Sequence, residues 1–130
     1  MKSLARILKR RYEPRIDVKW LVEVKKPRAD LIVELKARDL SLGGVRLESG
    51  VDLALGQLLS NSGKAQLRVY VPEHEQPLAL WGELVWGLPR GDYYLSGWRF
   101  SSLAIKARRT FKAYMRANPH LQIPEEPWGT

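Results

Sequence analysis

From Val18 onward, apolar residues recur at every second position. Val18, Trp20, Val22 and Val24 alternate with Lys19, Leu21, Glu23 and Lys25, and Leu31, Val33, Leu35 and Ala37 alternate with Ile32, Glu34, Lys36 and Arg38. A period of two is that of a strand with one buried face. Lys26-Pro27-Arg28-Ala29 between these runs reads as a hairpin connection. A third strand is predicted over Gly44 to Glu48, with Val45 and Leu47 opposite Arg46 and Glu48. Residues 50–64, with their Gly, Ser and Asn, read as a longer loop. Two strands follow, Gln66 to Val71 and Leu78 to Trp86. The turn Pro89-Arg90-Gly91-Asp92 then leads into a last strand from Tyr93 to Phe100.

After Ser101 the period changes to that of a helix. Ala104, Ala107, Phe111, Tyr114 and Met115 form one stripe, with Lys106, Arg109, Lys112 and Arg116 mainly on the other side. Ser101 or Ser102 is the expected cap and Asn118-Pro119 the expected end. Six short strands followed by one helix predict a mostly β protein. Its expected form is an antiparallel barrel, with the helix covering an edge or mouth. The expected division is a basic arm over residues 1–9, one domain over 10–118 that includes the helix, and a loose tail over 119–130.

Charge changes this picture more than composition does. Twenty-two Lys and Arg against 14 Asp and Glu give a net charge of +8, which favours anionic partners: nucleic acid, phosphorylated ligands or acidic lipid. The chain has no cysteine, so disulfides, thiolate-bound metal and a cysteine nucleophile are excluded. No apolar run approaches the ~20 residues of a membrane span. The basic N-terminus lacks the apolar block of a signal peptide, so the expected location is the cytoplasm.

Two segments stand apart from the alternation. Arg10-Arg11-Tyr12-Glu13-Pro14-Arg15 gathers guanidiniums that repel one another, on what reads as a flexible arm. Each guanidinium is a planar fork able to grip a phosphate or the O6 and N7 edge of a guanine. Arg11 and Arg15 are far enough apart to hold two ends of one bulky anion. The alternative is a solvated basic arm. The second segment, Asp39-Leu40-Ser41-Leu42-Gly43-Gly44, lies where one predicted strand ends and the next begins. Asp39 and Ser41, two apart, face the same way. The carboxylate can accept the N–H donors of a guanine edge, while Gly43 and Gly44 permit positive φ and leave no Cβ in the way of a flat ligand. The alternative is a turn in which Asp39 and Ser41 cap backbone N–H groups.

Arg11-x-x-x-Arg15 followed by Asp39-x-Ser41-x-x-Gly44, with strand sequence between them, resembles the signature of the PilZ domain family. The similarity extends through Val45-Arg46-Leu47, Gly82-Glu83-Leu84-Val85-Trp86 and Gly97-Trp98-Arg99-Phe100. The resemblance implies a six-stranded barrel that binds cyclic di-GMP and a non-enzymatic role as a receptor or adaptor acting through a protein effector. It implies that Arg11 and Arg15 wrap the ligand's phosphates and guanines, that Asp39 and Ser41 contact a guanine, and that Gly44 permits close approach. Arg10, just before the first motif arginine, leans toward a stacked pair of nucleotides rather than one. Trp98 is weighed evenly between stacking on a guanine and the core. Trp20 and Trp86 read as core, and Trp81, on the opposite face, as a mark of an exposed partner surface.

Other classes fit less well. His74 and His120 lie in polar, turn-like segments without a triad pattern, and no metal-ligand spacing or phosphate-binding glycine loop occurs. A basic β-barrel binding nucleic acid, or one reading only a protein partner, remains the alternative. The strand faces, however, show little interleaving of aromatic and basic residues. Leu4, Ile7 and Leu8 give too narrow a stripe for more than peripheral membrane contact.

Overall fold

A computed structural model describes residues 15–26, 32–50 and 63–123. The strands are β1 (Ile16–Asp17), β2 (Leu21–Lys25), β3 (Ile32–Leu40), β4 (Gly44–Gly50), β5 (Lys64–Val69), β6 (Leu78–Arg90) and β7 (Tyr93–Ser102). They are followed by the helix α1 (Ile105–Ala117) and a 3-10 turn over Pro119–Leu121. The strand order is β1-β3-β2-β5-β6-β7-β4, and a further pairing of β3 with β4 closes the sheet. All pairings are antiparallel. β1 and β2 both flank β3. Between them the amide of Val18 donates to the Arg38 carbonyl and the amide of Ala37 to the Trp20 carbonyl, so they act as one interrupted strand. The result is the six-stranded antiparallel barrel with one C-terminal helix that the alternation predicts.

The alternating residues fill the interior. Val22, Val24, Leu35, Ala37, Leu47, Leu67, Val69 and Leu80 are all buried, and the β3–β4 pairing joins the two ends of the sheet. One mouth is sealed by α1, whose Phe111 is fully buried. Its ring lies 6.0 Å from Phe100 and 6.4 Å from Trp20, and Tyr114 meets Trp20 edge-on at 4.8 Å.

Four expectations about these elements are corrected. Ser101 and Ser102 do not cap α1, because β7 runs on until Ser102 pairs with Trp81. The cap position falls on Ala104, which makes no side-chain cap hydrogen bond. The turn expected over Pro89–Asp92 shrinks to Gly91-Asp92, since Pro89 and Arg90 already pair with Tyr94 and Tyr93. Gly91 supplies the positive φ of 65° that so tight a hairpin demands. Trp86 is not in the core. The β6–β7 register slips between Leu84 and Trp86, which reverses the alternation and leaves Trp86 37% exposed. The tail is held as far as Ile123: the Ile123 amide donates to the Arg15 carbonyl at 2.9 Å, and Gln122 bridges Ile16. The arm with Arg10 and Arg11, the loop over residues 51–62 and residues 124–130 lie outside the described residues.

Candidate functional site

The Asp-x-Ser-x-x-Gly segment joins β3 to β4, and its geometry follows from a bulge. Ala37 pairs with Leu47, but Asp39 pairs with Arg46 and Leu40 with Val45. Arg38 is therefore the extra residue on β3, and beyond it the two faces exchange roles. Leu40 enters the core with Val45. Asp39 turns to the side of Arg46.

Asp39 is only 1% exposed, and each of its oxygens is engaged by an arginine. Arg15 Nη1 donates to Oδ1 at 2.9 Å. Arg46 Nε donates to Oδ2 at 2.7 Å, and its Nη2 also pairs with Oδ2. Burial without such partners would be costly for a carboxylate. The cations themselves stay partly exposed, with 41% of the Arg15 side chain and 36% of that of Arg46 open to solvent.

Ser41, also 1% exposed, serves the turn itself. Its hydroxyl accepts the amides of Gly43 and Gly44, each at 3.2 Å, and its own amide donates to the Gly44 carbonyl at 2.9 Å. The turn-cap alternative thus describes Ser41 but not Asp39. Gly43 and Gly44 do not use positive φ; among the described residues the glycines that do are Gly63 and Gly91. Gly44 is required for another reason. A Cβ there would lie 2.2 Å from the Trp98 carbonyl oxygen of the paired strand β7. Its bare Cα lets β4 pair closely with β7, and Gly44 also stands on the wall of the neighbouring cavity.

Around this turn lies an open cavity of about 470 Å³, walled by Arg15, Ser41, Gly43, Gly44, Arg46, Val85, Trp86 and residues 97–100. Trp98 contributes to the wall, but it is 3% exposed and belongs to the core cluster, with its indole N–H donated to Ser96 Oγ. In this arrangement Trp98 packs as a core residue. The exposed aromatic here is Trp86. It sits directly over Gly97, where a Cβ would come within 2.3 Å of the indole. Sequence alternation misses Trp86 and Arg46 because both depend on bulges. In addition, a glycine at Gly97 facing a tryptophan is visible only once the β6–β7 register is known.

The structure brings together Arg15, Asp39, Ser41, Gly43 and Gly44, with Arg46 and Trp86 beside them, while Arg10 and Arg11 lie outside the described residues. The PilZ domain family model matches residues 9–117. The chain belongs to the PilZ domain family. This PilZ domain matches the structure of the Bacillus subtilis inhibitor of motility with a TM-score of 0.66 and 13% identity, covering 83% of this chain and 50% of that one. It matches the PilZ domain of CeSA from a cellulose-synthesizing bacterium with a TM-score of 0.56 and 17% identity, covering 82% of this chain and 98% of that one. It also matches Escherichia coli YcgR in complex with cyclic di-GMP, with a TM-score of 0.60 and 16% identity, over 82% of this chain and 44% of that one. At these identities the likeness is one of fold. The chain spans about half the length of the inhibitor of motility and less than half of YcgR. No curated protein matches the chain at a significant level of sequence similarity.

Among the described residues of this PilZ domain, no group of three or more His, Asp or Glu is placed to hold a metal ion. No helix there is long and apolar enough to cross a membrane.

Proposed function

We propose that this PilZ domain is a receptor for cyclic di-GMP. The observation that carries the reading is that Arg15 of the arginine motif, ion-paired to the buried Asp39, and Ser41 of the turn wall one cavity of about 470 Å³, within the usual ~300–1,000 Å³ of small-molecule sites. The chemistry present suits a cyclic dinucleotide of guanine. Guanidiniums pair with phosphates, a carboxylate accepts the N–H donors of a guanine edge, and the partly exposed Trp86 ring on the cavity wall suits base stacking. The relatives support the reading through YcgR, solved with cyclic di-GMP, and through the Borreliella burgdorferi PlzA protein, also solved in complex with it.

In this reading Arg10, Arg11 and Arg15 close over the ligand's phosphates, and Arg10 favours a stacked pair. The closed arm alters the surface beside the barrel, and a protein effector reads that change. Such a role is that of an adaptor, without catalysis, in the bacterial cytoplasm.

Calorimetric titration with cyclic di-GMP at physiological salt tests the proposal, with GMP and single-stranded DNA as controls. Saturable binding of cyclic di-GMP alone, at micromolar affinity or tighter, is the expected result, and two nucleotides per chain would bear out the role of Arg10. Binding of the oligonucleotide alone, with a steep loss as salt rises, would overturn it in favour of a nucleic-acid module. Binding of neither would leave a fold that reads a protein partner.

A further inference from the structure

Asp39 cannot meet a ligand in the arrangement seen. It is 1% exposed, and both oxygens are taken by guanidiniums, so a guanine edge reaches the carboxylate only by replacing one of them. The two arginines are not equivalent. Arg15 stands just before β1, a strand of two residues, and offers one hydrogen bond to Oδ1. Arg46 lies within β4, which is paired on both sides, to β3 and to β7, and it grips Oδ2 through Nε and Nη2. Arg46 belongs to neither of the two motifs.

We propose that Arg46 is the positioning residue of the site and Arg15 the exchangeable one, an inference that rests on the cyclic di-GMP reading above. Arg46 holds the carboxylate in place and supplies its counter-charge. Arg15 leaves Oδ1 for a phosphate, and the freed oxygen accepts the guanine N–H donors. Were Arg46 absent, the departure of Arg15 would strand a buried carboxylate without a cation, which is strongly unfavourable. Selectivity follows from the same geometry. A carboxylate fixed in this way faces two N–H donors on the guanine edge, whereas an adenine edge presents an acceptor in place of one of them.

A double-mutant cycle tests the role, with Arg46→Met, Asp39→Asn and the double variant titrated with cyclic di-GMP and with cyclic di-AMP. Methionine keeps an apolar stem in place of the guanidinium. The expected result for Arg46→Met is a loss of roughly tenfold or more in cyclic di-GMP affinity, the scale of a lost hydrogen bond to a charged group. Its preference over cyclic di-AMP should shrink, and Arg46→Met should add little once Asp39→Asn is present. Independent effects that multiply in the double variant would mean that Arg46 acts on the ligand by itself, and would overturn the proposal. If Arg46→Met fails to fold by thermal denaturation, Arg46→Lys decides. Lysine keeps the charge but loses the fork, so reduced affinity and reduced preference are expected, and wild-type values overturn the role. A wild-type chain that takes up no cyclic di-GMP sinks the receptor reading itself. Binding by the wild type that Arg46→Met matches sinks only the role of Arg46.

Discussion

At Gly44 and Gly97 the absence of a side chain does different work. At Gly44 the space is filled by the backbone of β7: an added Cβ would sit 2.2 Å from the Trp98 carbonyl oxygen. A backbone so placed within a paired strand has little room to move. Gly44→Ala should therefore lower stability by about 1–3 kcal/mol, the usual scale of overpacking, measured by urea denaturation with no change expected in the slope. At Gly97 the neighbour is the Trp86 indole, which is 37% exposed and stands on the wall of the cavity. The ring lies outside the core cluster but is more than half buried, so Trp86→Ala should lower the melting temperature without unfolding the barrel. It should weaken cyclic di-GMP binding by about 1–3 kcal/mol, the scale of base–aromatic stacking. Calorimetry showing wild-type affinity in Trp86→Ala would remove Trp86 from the site.

Among the elements, the unexpected link is the one from the end of the chain to the arginine motif. After α1, the 3-10 turn carries Gln122 and Ile123 back to Arg15 and Ile16. Arg15 is thus tied twice, by its side chain to Asp39 and by its carbonyl to the Ile123 amide. Proline lacks that amide, and the extended Gln122, with φ −63° and ψ 128°, suits a residue preceding proline. Ile123→Pro should therefore cost about 0.5–1.5 kcal/mol, the net value of one hydrogen bond, read as a lower unfolding midpoint.

The strands and α1 were legible from periodicity because each has one buried face, and Phe111 was legible as a helical stripe residue. The two motifs were legible as a candidate site because they occur together, arginine forks on one segment and a carboxylate at the strand end that follows. What periodicity could not supply was phase. Bulges at Arg38 and between Leu84 and Trp86 exchange the faces of β3 and β6. These shifts bring Arg46 to Asp39 and put Trp86 in the open. The pairing of Ile123 with Arg15 lay beyond reach for a different reason, since it joins residues from opposite ends of the chain through a lone bridge with no alternating pattern.

The molecule as a whole sets a closed barrel beside a strongly cationic segment. Lys9, Arg10, Arg11 and Arg15 crowd four positive charges into seven residues with one acid, Glu13, and the whole chain carries +8. Like charges so close in sequence repel one another, and a bound anion offsets that repulsion. Arg15 is the exception, because Asp39 supplies its counter-charge. A ligand with two phosphates would extend this neutralisation to the rest of the segment and draw it over the cavity. The barrel has no comparable reason to change, since Val22, Val24, Leu67 and Val69 are fully buried and paired in the sheet. Hydrogen exchange separates the two. With saturating cyclic di-GMP, the amides of residues 9–15 should exchange more slowly, while those of Val22, Val24, Leu67 and Val69 keep their rates. Equal exchange in residues 9–15 with and without ligand would mean that binding, if it occurs, does not close the arm. The surface read by a partner would then have to lie elsewhere on the barrel.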